Sequence, residues 1–445
     1  MKLAAKIFTA LFILLCLIPG AGMLILGPGE ARANESAPKK PELLDRDGAF
    51  NNEVLSDTAD YVNEAFAFRQ PLITLWAHVE AAFGESAEDG VILGSDGWLF
   101  YADELADYTG TEPMTERELF AAAKNLSLMS EYAGSLGADF VFTIAPNKSS
   151  LYGEHMPDYP RSEESADAAR LAEELERLGV NYVNLFELFA AEDATLYFEH
   201  DSHWTSRGAA MAADAINAAL GVQSDYGGGY EFEPQSHTGD LFEMLYPDGK
   251  DTEKDDAPVN LAFAQDEGVR PDSITIDTAG AGEGTLMMFR DSFGELLYPF
   301  MAESWGAARF SRQAAYDLTA AQELSADAVV VEIVERNLAW LYEQPPFFPA
   351  PERELDRDGA AEGTARLSLD GESDGYHSLS GIISDEIDVD SAVYIGYNGA
   401  WYEALLTNGG FTAVLPGEGG GEYEAAWYSG GELRIARINT ESGEG

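Results

Sequence analysis

The sequence predicts an α/β chain, a parallel sheet flanked by helices, followed by a small all-β C-terminal domain. Three observations carry this. Short unbroken apolar segments at 140–145, 285–289 and 328–334 alternate with helix-patterned stretches, and strands that are apolar on both faces belong to parallel sheets covered on both sides. Pro345, Pro346, Pro349 and Pro351 then interrupt the pattern. Beyond them, residues 364–439 carry alternating segments separated by glycine clusters, with no helical period.

Along the chain, Lys2 and Lys6 precede an apolar run from Ile7 to about Leu26, and Ala31-Arg32-Ala33 supplies a small-residue exit. Residues 1–33 therefore read as a signal peptide or an uncleaved N-terminal membrane anchor, and either puts the rest outside the cytoplasm. Residues 34–44 are a polar linker. The region 45–345 is predicted to form the catalytic domain and 355–445 the small β-rich domain. Within 59–83, Tyr61, Ala65, Phe68, Leu72 and Leu75 recur at helical spacing, which predicts one amphipathic helix. Residues 90–101 read as two strands around a Ser-Asp-Gly turn. Helices follow at 115–136, 165–178 and 207–220 and from about 295, with a further strand at 182–185.

Composition removes several function classes. The 79 acidic residues outnumber 26 basic ones, a formal charge of −53, which repels nucleic acid and anionic lipid as surface-wide partners. At 46% hydrophobic residues the chain nonetheless has enough apolar matter for sizeable cores. Cys16, the sole cysteine, lies in the apolar N-terminal run, so the folded part has no disulfide, thiolate nucleophile or cysteine metal site. Glu199, His200, Asp201 and His203 are metal-competent residue types, but the remaining histidines fall in no ligand spacing, and no metal or other cofactor is expected.

Two segments carry chemistry. Asp201-Ser-His203 leads straight into a helix pattern, and in extended chain residues two apart project to one face, so the carboxylate can orient the imidazole. Arg290-Asp-Ser292-Phe-Gly294 ends an apolar strand and starts a helix, which places a serine at the carboxyl edge of the sheet with its own N–H near a helix N-terminus. Together they offer a nucleophile (Ser292), a base (His203) and an orienting carboxylate (Asp201). Gly239 and Asn147 are candidate oxyanion donors. Arg290, Trp204 and Lys148 are candidate substrate-binding residues.

These two blocks, with Gly94-Ser-Asp-Gly-Trp-Leu-Phe-Tyr101 and Ala145-Pro-Asn-Lys148 followed by Tyr152, resemble the alginate O-acetyltransferase-like SGNH proteins, the AlgX/AlgJ type including the DHHW proteins. The resemblance spans about residues 45–340. It implies an SGNH-hydrolase-like sheet with permuted motif order, the Asp-x-His block preceding the serine block. It also implies an extracytoplasmic O-acetyltransferase that acts on an exported polysaccharide or oligosaccharide acceptor, with a membrane-bound O-acyltransferase as a possible partner. A secreted carbohydrate acetylesterase with the same triad, or a non-catalytic glycan-binding protein on this fold, are the alternatives. Arg290 stands where ordinary SGNH hydrolases have the glycine of Gly-Asp-Ser.

Overall fold

The computed structural model describes residues 2–29, 38–45, 47–162, 166–373 and 375–439. The predicted cleavage pattern at 31–33 and the first part of the 34–44 linker, residues 34–37, lie outside the described residues.

The N-terminal apolar run is one helix, α1 (Lys2–Leu26), and among the described residues it alone is long and apolar enough to cross a membrane. The single helix expected over 59–83 is instead two, α2 (Val54–Ala65) and α3 (Arg69–Ala81). The break falls at Phe68, which adopts a left-handed backbone conformation (φ 67°) that a helix cannot continue through. The predicted hairpin is present as β1 (Val91–Leu93) and β2 (Leu99–Tyr101), in register Val91 to Tyr101.

Next come α4 (Glu116–Ser135), β3 (Asp139–Ala145), α5 (Asp167–Leu178), β4 (Tyr182–Val183), α6 (Ser206–Ala219) and α7 (Asp240–Leu245). A capping box at Thr115 and Glu118 fixes the start of α4. After them follow β5 (Ala264–Gln265), β6 (Thr275–Ala279), β7 (Glu283–Phe289), α8 (Gly294–Ser304), β8 (Trp305–Ser311) and β9 (Ala328–Val334). The central sheet has the order β4-β3-β9-β7-β8-β6-β5. From β4 to β8 it is parallel as predicted, and β6 and β5 extend it antiparallel, so the sheet is mixed. The polar alternation of β6, with Thr275, Asp277 and Ala279 exposed, is what an antiparallel edge tolerates and a central strand does not.

Every residue of β9 is buried, and its side chains divide by parity. Val329, Val331 and Ile333 join the core under α4 and α5, whereas Val330 and Val334 join the core under α6 and α8. This two-sided packing fixes the register of β9, β7 and β3, and thereby the point at which each strand ends.

The C-terminal region consists of a six-stranded and a four-stranded sheet. Its interior is continuous with the core under α4. Asn125 of α4 is buried and donates to the carbonyls of Leu341 and Leu406 (2.9 and 2.8 Å) while accepting from Leu406 N–H (2.9 Å). Removing that amide would leave buried backbone groups unpaired, at about 1–3 kcal/mol each. The β-rich region is therefore held to the α/β region by packing as well as by chain.

Candidate active site

Three strand ends define the site. The chain leaves β7 at Phe289 and reaches Ser292 just before α8, leaves β9 at Val334 and reaches Arg336, and leaves β3 at Ala145 and reaches Asn147. The fourth contribution is the 197–205 loop, closed by a bridge between Tyr197 and Trp204 and by Thr205 N–H donating to Leu196 O (2.7 Å). The Thr205 side chain then accepts from Gly208 N–H and caps α6.

Inside this loop the chain turns instead of running extended. Asp201 Oδ1 accepts both the backbone N–H of His203 (3.0 Å) and its Nδ1–H (2.7 Å). The tautomer this fixes leaves Nε2 to accept from Ser292 Oγ–H, 2.9 Å away. Structure thus brings the three predicted residues into one hydrogen-bonded chain, Ser292 to His203 to Asp201.

Asp201 is buried and fully engaged. Its Oδ2 accepts from His237 Nε2–H (2.9 Å) and from Asp240 N–H (3.1 Å). Burial pushes its carboxyl up, but the charges and hydrogen bonds of the two histidines outweigh this and hold it well below the usual carboxylate range. For His203 burial pushes the imidazole down, yet the Asp201 charge and hydrogen bond win and leave it above the ordinary histidine value. Asp240 is raised by burial and by the neighbouring Asp201 charge, and its Oδ2 lies 3.6 Å from His203 Nδ1.

On the serine side, Asp291 organises the turn. It accepts Phe293 N–H (2.9 Å) on one oxygen and Val334 N–H (2.7 Å) on the other, tying the ends of β7 and β9 together. Among the described residues no acceptor takes the Ser292 N–H. Beneath Asp291, Glu332 is fully buried, and burial followed by the Asp291 charge pushes its carboxyl well above the usual range. A carboxyl raised on folding costs stability as pH climbs from its unfolded value of about 4.3 towards its folded value. Glu332→Gln is therefore expected to unfold at higher denaturant than the parent at pH 8, with the gap closing as pH falls towards about 4.3; urea titrations at several pH values read this directly.

Five of the candidate residues have roles other than those expected. Lys148 is fully buried, and its ammonium donates to the carbonyls of Phe198, Glu199 and Asp201 (3.1, 3.2 and 2.6 Å), with the Trp98 and Phe100 rings beside it. With all three donors committed it is the internal cation of the 197–205 loop and not a substrate contact, and burial presses it down to about 8. Trp204 is also buried, donating its indole N–H to Phe293 O (3.0 Å) in the core, so it offers no sugar platform. Arg290 turns away from the cleft to donate to Asp291 O, Pro271 O and Ser273 O. Its side chain fills the space that a Cβ at Gly294 would need, which accounts for arginine and glycine at those two positions. Gly239 gives its N–H to Asp251 (3.0 Å), and a Cβ there would collide with the His200 carbonyl. The Asn147 side chain joins Asp107 to the backbone N–H of Arg336 (2.8 and 3.3 Å) and is fully buried. Neither is placed as a free oxyanion donor.

Conversely, His237, Asp240, Glu332 and Arg336 escaped sequence reasoning. His237 stacks flat on Phe198 (3.8 Å between centroids) and lies 34 positions from the Asp-x-His block, with no spacing rule to link them. Arg336 crosses the Tyr101 and Phe293 rings at 5.2 and 5.5 Å and lowers the His203 imidazole, which puts its positive charge close to His203. The one available signal was its position two residues past an apolar strand. The acidic-histidine group His200, Asp251 and Glu253 is internally satisfied, since these carboxylates accept His200 Nδ1–H and the N–H groups of Glu199, His200, Gly239 and Glu253.

The family described as SGNH hydrolase-like domain, acetyltransferase AlgX, matches residues 91–279, which include Asp201 and His203. Over that stretch, somewhat under half of the chain, the sequence is similar to an AlgX-type SGNH hydrolase-like domain. Among curated proteins, "Probable alginate O-acetylase AlgJ" of Pseudomonas syringae pv. tomato is 26% identical over 235 residues, 50% of this chain and 57% of the relative. The protein of the same name from Pseudomonas aeruginosa is 22% identical over 194 residues, 42% of this chain and 48% of the relative. The chain thus spans about half the length of the curated relatives it matches. Of solved structures, the O-acetyltransferase domain of Pseudomonas putida AlgJ aligns with a TM-score of 0.38 at 17% identity, over 56% of this chain and 92% of that one. The match includes the Asp-x-His loop and ends before the serine turn at Ser292.

Proposed function

We propose that this chain is an extracytoplasmic O-acetyltransferase that moves acetyl groups onto an exported polysaccharide through an acetyl-Ser292 intermediate. The observation that carries the reading is the unbroken chain from Ser292 Oγ to His203 Nε2 (2.9 Å) and from His203 Nδ1 to Asp201 (2.7 Å) at the carboxyl edge of the parallel strands. Ser292 Oγ attacks the acyl carbonyl and its proton passes to His203 Nε2, which returns it to the leaving group. A sugar hydroxyl then attacks the acetyl-serine, its proton going to His203; the acyl–Oγ bond breaks, His203 returns the proton to Ser292 Oγ, and the acetyl ester leaves on the sugar.

Charge develops on the acyl oxygen in both steps. The Ser292 N–H, unpaired among the described residues, is one donor for it, and the Arg336 guanidinium, beside Phe293 and felt by His203, is the proposed second. Asp201 remains ionised and stabilises the imidazolium. The relatives' name supports an acetylated polysaccharide as acceptor. The −53 charge, with Asp240 and Glu243 near the cleft, favours an acceptor of low charge density over a polyanion. A membrane-bound O-acyltransferase supplying acetyl from the cytoplasmic side fits an extracytoplasmic site.

Transfer and hydrolysis use the same residues, so the test is the fate of the acetyl group. With an activated acetyl ester and a panel of neutral and uronic oligosaccharides, acetylated sugar is expected to appear at the expense of free acetate, most with the neutral acceptors. Free acetate alone across the whole panel would replace the transferase with an esterase.

A further inference from the structure

Outside α1, large exposed apolar side chains concentrate between Leu43 and Phe83. The densest group is on α3, where Leu72 (38% exposed), Leu75 (61%), Trp76 (57%) and Val79 (41%) lie on solvent. At 3.6 residues per turn these four fall within an arc of about 100°, and Phe68 and Phe83, just beyond the two ends, continue the same stripe. The opposite side of α3 is already occupied. Ala77 is buried against Leu241 and Leu245 of α7 and Val91 and Leu99 of the hairpin, His78 stacks on Tyr246 (4.5 Å), and Thr74 Oγ1 accepts Asp248 N–H (2.9 Å). The helix is therefore firmly seated on the domain with an apolar stripe pointing outwards, which soluble surfaces avoid unless something covers it.

Two facts identify the cover. From Phe66 to Val79 the sequence contains no aspartate or glutamate, in a chain that has 79 of them, so this segment lacks the carboxylates through which most of the surface repels a bilayer. And the membrane-length helix α1 delivers the chain to this very place: Gly29 N–H donates to Ala65 O (2.8 Å), and Gly22 lies so close to Ala67 that a Cβ would be 2.6 Å from it. An apolar, acid-free stripe with a tryptophan, beside the exit of a membrane-length helix, has the composition of an interfacial helix.

We propose that the outward face of α3 lies in the head-group region of the outer leaflet, with Leu72, Leu75, Trp76 and Val79 among the upper acyl carbons. This surface is separate from the acetyl-transfer chemistry and stands without it. It also positions the chemistry, because α7, which α3 packs against, begins at Asp240, whose N–H holds Asp201. The lipid-seated helix and the catalytic carboxylate are thus joined by one six-residue helix, about 9 Å long.

Trp76 is the probe. The full chain, α1 included, is placed in phosphatidylcholine vesicles whose acyl chains carry bromine near the head group or near the chain ends, and the emission of Trp76→Phe is subtracted from that of the parent. The difference spectrum is expected to lose most of its intensity to shallow bromines and less to deep ones, and to resist acrylamide. Phenylalanine keeps the stripe apolar and Trp76 is exposed, so the variant folds. Quenching by acrylamide with no effect of bromine would overturn the proposal. So would a difference spectrum that, in detergent without lipid, shifts with protein concentration, since the face would then belong to a second copy of the chain.

Discussion

Ser292→Ala is expected to lower turnover of an activated acetyl ester by a factor on the order of 10⁶, the loss seen when the nucleophile of a triad is removed while binding remains. The methyl group keeps the backbone turn, whose support comes from Asp291 accepting Phe293 and Val334 N–H groups and not from the serine hydroxyl. Stability should therefore be unchanged in a urea melt, and Km should move much less than kcat. Retention of full activity would remove serine chemistry and leave glycan binding as the better account of the fold.

Asp201→Asn is the second large effect, a loss on the order of 10³ to 10⁴. The carboxylate accepts four hydrogen bonds, from the N–H and Nδ1–H of His203, from His237 and from Asp240 N–H. An amide has one accepting atom, so its NH₂ must face two of these donors. If it faces His203, the imidazole is driven to the tautomer whose Nε2 carries hydrogen and cannot take the serine proton. A pH profile separates this from simple misfolding. With His203 as the proposed neutral base, the parent's kcat/KM should rise with pH through a midpoint above the ordinary histidine value of about 6.5, because Asp201 lifts the imidazole. Without that charge, burial and the Arg336 charge are opposed by Asp240 alone, and the midpoint of the residual activity should move to lower pH. A midpoint that stays put in Asp201→Asn would mean that Asp201 does not set the base.

The alternation of apolar strands with helices announced the α/β sheet because the central strands, β9 above all, are buried on both faces and so read as almost unbroken apolar runs, Glu332 being the exception in β9. The antiparallel addition of β6 and β5 was not announced, since short edge strands with exposed threonine and aspartate look like loop in sequence. Asp201, His203 and Ser292 were legible for a local reason: two lie two residues apart and the third sits at a strand end. The supporting residues were read in the wrong sense. Lys148 and Arg290 are cations near a catalytic loop, and their sequence context does not tell whether a charge faces substrate or backbone carbonyls. Only the fold shows that Phe198, Glu199 and Asp201 turn their carbonyls inwards on Lys148. His237 and Arg336 stayed hidden because they reach the site from other elements, and nothing local ties a histidine at 237 to an aspartate at 201. The left-handed turn at Phe68 was equally opaque, since an exposed phenylalanine at helical spacing reads as part of a longer helix.

Everything in the acetyl-transfer account passes through one covalent species, and it can be caught. The chain is mixed with an activated acetyl ester, quenched in acid within the first turnovers and digested, and the peptides are measured by mass spectrometry. Asp201→Asn is run in parallel, because acetyl should leave the serine more slowly when the base is crippled. One acetyl group on the peptide that contains Ser292, absent from Ser292→Ala and longer-lived in Asp201→Asn, is the expected result. Turnover that proceeds with Ser292 unmodified at every time point, or with acetyl carried on another side chain, would contradict it.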